Sequence, residues 1–146
     1  MPRLAPVTPA ILVVEPDSVA RGRIAWCLLA RGYRVVAAET VLEATHSLLA
    51  GGIDLMILDL ELPPSGARAL LSYMAEDAEL AQTRVLVLGK QVPQDLNAPF
   101  LGRPFSDDEL LDAVYGMLGP ARRLSWSEQG RLGESFSAED DGGQAA

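Results

Sequence analysis

Histidine and cysteine are nearly absent from this chain: in 146 residues there is one of each, His46 and Cys27. A single cysteine excludes an internal disulfide and is the usage of a reducing compartment. A single histidine leaves a Ser/His/Asp triad without support, because His46 falls mid-helix where it faces solvent or the sheet margin. Basic residues are also scarce, 12 against 20 acidic, for a formal net charge of -8. Nucleic-acid binders need a concentrated basic surface, and anionic membranes attract basic segments, so neither partner is expected. No apolar run approaches a membrane span. The first ten residues carry three prolines and no hydrophobic block, so no secretory leader is read there, and a cytoplasmic protein is expected.

Glycine is missing where a nucleotide site would need it. The first turn, Glu15-Pro-Asp-Ser18, has none of the glycines that let a backbone approach a pyrophosphate, and no P-loop occurs.

What is present is apolar material: 49% of residues, enough for one core in a chain of one-domain length. It is arranged as short runs alternating with helical periods. Ile11 to Val14 reads as a strand covered on both faces. Ser18 can cap a helix running to about Arg31, with Ala20, Ile24, Cys27 and Leu28 on one face and Gly32 as its stop. Tyr33 to Ala38 is a second strand. Thr40-Val-Leu-Glu43 is a capping box opening a helix to Gly51-Gly52. Leu55 to Leu58 is a third strand, and a helix from Ala67 to about Ala75 follows, with Ala67, Leu70, Leu71 and Met74 aligned. Val85 to Leu88 and the weaker Pro99 to Leu101 are strands four and five. Ser106-Asp-Asp-Glu109 is another capping box, for a helix to about Leu118.

Strands alternating with helices mean βαβ units and a doubly wound, five-stranded parallel sheet of flavodoxin-like order 2-1-3-4-5. Only Lys90 to Ala98 separate the last two strands, fewer than the roughly 10 to 12 residues a helical crossover needs, so the fourth crossover helix is short or missing. Residues 1–9 read as a flexible lead-in, 10–119 as the domain, and 120–146 as a polar, acidic, disordered tail. A phosphotransfer helical bundle is excluded by this pattern.

Sheets of this type act at the carboxyl ends of their strands, which places Glu15, Asp59 and Gly89 at one mouth. The bland reading of each acid is a loop or capping carboxylate. Strands one and three are neighbours, however, so Glu15 and Asp59 fall close together, and like charges brought together call for a cation or a proton. Magnesium is one solution and an arginine another.

Four segments carry a family resemblance: Ile11-Leu-Val-Val-Glu15; Asp54-Leu-Met-Ile-Leu-Asp59-Leu; Leu62-Pro63 with Gly66; and Phe100-Leu-Gly-Arg103-Pro104-Phe105. From Ala10 to Leu118 the chain resembles the receiver domain of two-component response regulators, in an atypical form. The resemblance implies that Asp59 is the nucleophile accepting a phosphoryl group, and that Glu15, Asp59 and the backbone carbonyl of Glu61, with Asp17 as a further candidate, gather magnesium. It implies that Phe100 is a switch aromatic and that the bond before Pro104 is cis.

The same resemblance exposes departures. Pro16 stands where the family has a second acid, which weakens the magnesium site; Asp17 after it can reach inward or equally cap the first helix. Gly89 stands where a hydroxyl donor meets the phosphoryl group. Arg103 stands where the family has lysine, a planar fork instead of a compact charge, able to pair with Asp59 without any metal.

The expected function is a single-domain, response-regulator-like signalling protein in a phosphorelay, not an enzyme, with output through protein contacts. Its partners would be a histidine kinase or phosphotransfer protein and a downstream protein, the chain itself being a monomer or weak homodimer. The alternative is a pseudo-receiver acting without phosphorylation. Trp26, opposite the apolar face of the first helix, and Trp126, beside Arg122 and Arg123, are candidate contact residues, each with a plain surface reading beside it.

Overall fold

The five apolar runs form one sheet. In the computed structural model, which describes residues 8–62 and 66–121, the strands are Ala10–Val14 (β1), Arg34–Ala38 (β2), Leu55–Asp59 (β3), Arg84–Gly89 (β4) and Phe100–Gly102 (β5). They pair in parallel, in the order β2-β1-β3-β4-β5. Every residue of β1 and β3 is buried, which is why their sequences show no polar alternation. The edge strand β2 is largely exposed.

Helices Ser18–Leu29 (α1), Val41–Ala50 (α2), Gly66–Ala75 (α3) and Asp107–Leu118 (α4) complete the domain. Helix α1 and helix α4 cover one face, packing Ile24, Leu28, Leu110 and Val114 on Ile11, Val13, Ile57 and Leu88. Helices α2 and α3 cover the other, with Ala44, Leu48, Leu70 and Met74 against Leu12, Val14, Met56 and Leu58. Tyr33 donates its hydroxyl proton to the Gly119 carbonyl at 2.7 Å, tying the end of α4 to the start of β2. No described helix is long and apolar enough to cross a membrane.

Local chemistry explains where these elements depart from the sequence reading. Of the two cap candidates, Asp17 rather than Ser18 caps α1: its carboxylate accepts from the Ala20 N–H at 2.8 Å, an acceptor stronger than a hydroxyl. The helix ends at Leu29, and Gly32 lies in the turn beyond it with φ of 93°. Thr40 caps α2 through the Glu43 N–H, but the Glu43 carboxylate reaches back to the Glu39 N–H, one residue before the cap. The capping box at Ser106 and Glu109 is complete in both directions. Strand β5 is shifted by one residue, since its register follows the pairing of Phe100 with Val87 and not the apolar count. A 3-10 turn at Leu80–Gln82, not anticipated from periodicity, buries Leu80 on the α2–α3 face.

Between β4 and β5 the described chain holds turns and no helix. The uncovered margin is a groove of about 580 Å³ whose lining includes Leu71, Met74, Val85, Leu96 and Pro99. An Arg68–Asp95 ion pair at 3.3 Å crosses from α3 to the connecting segment. The expected lead-in, residues 1–9, lies mostly outside the described residues, and the expected tail, 120–146 with Trp126, almost wholly so.

Candidate functional site at the carboxyl mouth of the sheet

Glu15 and Asp59 are the only charged side chains buried among the described residues, 2% and 6% exposed. Strand geometry puts them together. Val14 pairs with Leu58, so the next residue of each strand emerges at the same edge of the sheet. The Glu15 N–H donates to the Ala38 carbonyl at 3.0 Å and the Leu60 N–H to Leu88 at 2.8 Å, which carries the sheet pairing up to the mouth.

A guanidinium lies between the two acids. Arg103 Nη2 donates to Glu15 Oε1 and stands 4.0 Å from Asp59 Oδ1. The sequence has Arg103 able to pair with Asp59; in the structure its hydrogen bond goes to Glu15, with Asp59 at ion-pair distance. Arg103 is placed by its own N–H, which donates to the Gly89 carbonyl at 2.8 Å, and by the Phe105 ring, whose centroid is 5.7 Å from the guanidinium carbon. The Arg103–Pro104 bond is cis, as the resemblance implied.

Backbone donors reach both carboxylates as well, at the second oxygen of Glu15 and at the Asp59 oxygen that faces Arg103. Glu15 Oε2 accepts from the Asp17 N–H at 3.1 Å, and Asp59 Oδ1 from the Glu61 N–H at 3.0 Å. Burial nevertheless holds the Glu15 carboxyl above its ordinary range: desolvation outweighs the Asp17 N–H and the Arg103 charge that favour ionisation, with Asp59 adding to the rise.

Of the tentative metal ligands, Asp17 is turned away to cap α1 and is exposed. Glu61 reaches the site through its N–H on Asp59. Among the described residues no group of three or more His, Cys, Asp or Glu side chains is placed to hold a metal ion. With Pro16 lacking a donor and Arg103 on Glu15, these residues do not fit a magnesium ion, which takes an octahedron of oxygens.

At the end of β4, Gly89 offers no hydroxyl. Its place is lined by carbon: a Cβ there would stand 3.2 Å from Phe100 Cε1 and 3.6 Å from Leu60 Cβ. Phe100, the expected switch aromatic, is half-buried with its ring against that glycine. Trp26 projects from α1 at 74% exposure, well apart from its buried Ile24, Cys27 and Leu28. His46 is exposed on α2.

Arg21 was not anticipated. Its Nη1 donates to the Glu15 carbonyl at 2.7 Å and the Pro16 carbonyl at 3.2 Å, bracing the turn that aims Glu15 inward. The available signal was a cation in the first turn of a helix, where the macrodipole disfavours it unless it has a partner.

No family model matches the chain. It is 26% identical over 136 residues to the two-component response regulator-like protein APRR1 of Arabidopsis thaliana, covering 86% of this chain and 22% of that protein. It is 30% identical over 111 residues to the swarming motility regulation protein RssB of Serratia marcescens, covering 71% of this chain and 50% of that protein. The chain thus spans half or less of the length of these two relatives. Among solved structures, a response regulator receiver protein from Pseudomonas putida superposes with a TM-score of 0.69 at 27% identity, over 77% of this chain and 99% of that one.

Proposed function

We propose that this receiver-type domain, related in fold and sequence to two-component response regulators, passes signals through protein contacts without a phosphoryl group on Asp59. The observation that carries this reading is the end of β4. A receiver that traps a phosphoryl group needs a donor there, and this chain has Gly89 backed by the Phe100 ring. A transferring phosphoryl group spreads charge over its three equatorial oxygens and gains most from donors fixed in advance. Carbon at that position supplies none. The partners on this reading are proteins of a two-component pathway, a histidine kinase or phosphotransfer protein on one side and a downstream protein on the other. Trp26, the most exposed aromatic among the described residues, is the one offered to them.

One observation favours the phospho-acceptor reading. Asp59 ends β3 at the sheet mouth, and a guanidinium 4.0 Å away would neutralise part of an incoming charge. The two readings separate by intact-mass spectrometry after incubation with magnesium and a small phosphodonor, comparing wild type with Asp59→Asn. No labile adduct on either folded protein is the expected result. An adduct on wild type alone would overturn the phosphorylation-independent reading and assign Asp59 as the acceptor.

A further inference from the structure

We infer that Arg103 is a resident cation: its guanidinium takes the position between Glu15 and Asp59 that a divalent ion would otherwise fill, so the folded site needs no metal. The inference rests on the receiver-type reading only for where a cation belongs; phosphoryl transfer does not enter it.

Two buried carboxylates at neighbouring strand ends repel, and in a poorly solvated mouth something must neutralise them. Arg103 does so from a third strand end. It bonds Glu15 Oε1 and faces Asp59 Oδ1 at 4.0 Å, with its side chain 24% exposed and so mostly sheltered from water. Its placement is built in. The backbone N–H is held by Gly89, and the Phe105 ring lies beneath the guanidinium. Lysine would bring a compact charge with three donors and no planar fork to spread over two carboxylates.

The departures around it fit one arrangement. Asp17 is committed to the Ala20 N–H, Pro16 brings no side-chain donor, and the Asp17 and Glu61 N–H groups take up carboxylate lone pairs that a metal would use. A doubly charged ion beside this guanidinium would meet repulsion as well as a depleted set of oxygens. Removing the guanidinium leaves two converging carboxylates, and magnesium is commonly bound through one or two carboxylates with several waters retained.

The test is thermal unfolding of the full chain in chelator and in millimolar magnesium chloride, with sodium chloride matched for ionic strength. Wild type is expected to melt at the same temperature in both. Arg103→Met is expected to melt lower in chelator and to regain about 4 °C or more with magnesium, as ligand linkage predicts for a site well above half-saturation. Magnesium stabilisation of wild type overturns the inference. So does a folded Arg103→Met protein that ignores magnesium. If Arg103→Met does not fold, the double variant Glu15→Gln/Arg103→Met is expected to recover a cooperative melt because the unpaired acid is gone; failure to recover also overturns the counter-ion role. An Asp59 adduct in the mass experiment would sink the proposed function and leave these melts unchanged, so the two failures are distinguishable.

Discussion

On one face of the sheet, α1 and α4 lie over Ile11, Val13, Ile57 and Leu88, and the cover extends to Leu101 of the edge strand β5. On the other, α2 and α3 lie over Leu12, Val14, Met56 and Leu58, and the cover thins at Val85 because no helix joins β4 to β5. Both faces are fed by the same strands, with residues alternating between them. The difference therefore comes from one connection, the segment 90–99, which crosses from β4 to β5 without a helix. A doubly wound sheet tolerates that loss at its margin, where β5 has only three residues to cover, and would not tolerate it over β1 or β3.

Strand β4 allows the contrast to be broken most directly, because it serves both faces. Leu88 is fully buried under α1 and α4, whereas Val85 is partly buried at the groove. Leu88→Ala is expected to cost about 3 kcal/mol, the transfer loss plus an unrelaxed cavity. Val85→Ala removes less apolar surface from a site already open to water, with an expected cost of about 1 kcal/mol. Urea unfolding of the two variants checks this. Equal costs would mean that the groove side is packed as tightly as the helix-covered side.

The carboxyl mouth sharpens the comparison in a different way, since there both faces end on charge. Burial raises the Glu15 carboxyl above its ordinary value, so the folded chain holds that proton more tightly than the unfolded one. By linkage this contribution to stability is fully present below the unfolded value of about 4.5 and is lost as pH rises through the folded one. The stability of wild type relative to Glu15→Gln is therefore expected to fall with rising pH across that window and then level off. Thermal melts of both proteins across the acidic range measure it. A difference that grows with pH would mean that Arg103 and the Asp17 N–H outweigh burial at Glu15.

These contrasts also show what a reader of the sequence can and cannot recover. Continuous apolar runs placed β1 and β3, and the few residues between β4 and β5 pointed to a helix there that is short or missing. Both are one-dimensional quantities. The acids at the mouth were legible for the same reason: strand order brings Glu15 and Asp59 to one edge whatever their side chains do. The choice Arg103 makes was not. Whether a guanidinium bonds Glu15 or Asp59 depends on the backbone placement held by the Gly89 carbonyl and on the side-chain path beside the Phe105 ring, neither of which sequence spacing encodes. Arg21 was missed because its acceptors are backbone carbonyls, which every residue has. The cap of α1 went to Asp17 over Ser18 because adjacent candidates of similar propensity are decided by the geometry of the turn.

The smallest effect belongs to the ion pair that crosses the groove margin. Arg68 and Asp95 meet at 3.3 Å with their side chains 49% and 75% exposed. Water screens such a pair, and holding two mobile side chains costs entropy, so Arg68→Ala is expected to change global stability by less than about 0.5 kcal/mol. Its local consequence is larger. Asp95 lies in the segment 90–99, which has no helix or strand of its own, and the pair is the one salt bridge joining that segment to α3 among the described residues. Removing it is expected to speed amide exchange in residues 90–98 while leaving β3 unchanged, because segments open locally at far lower free energy than cores. Hydrogen exchange by mass spectrometry separates the cases. Unchanged exchange in 90–98 would mean that apolar contacts of Leu96 and Pro99 along the groove, not the ion pair, hold the connection in place.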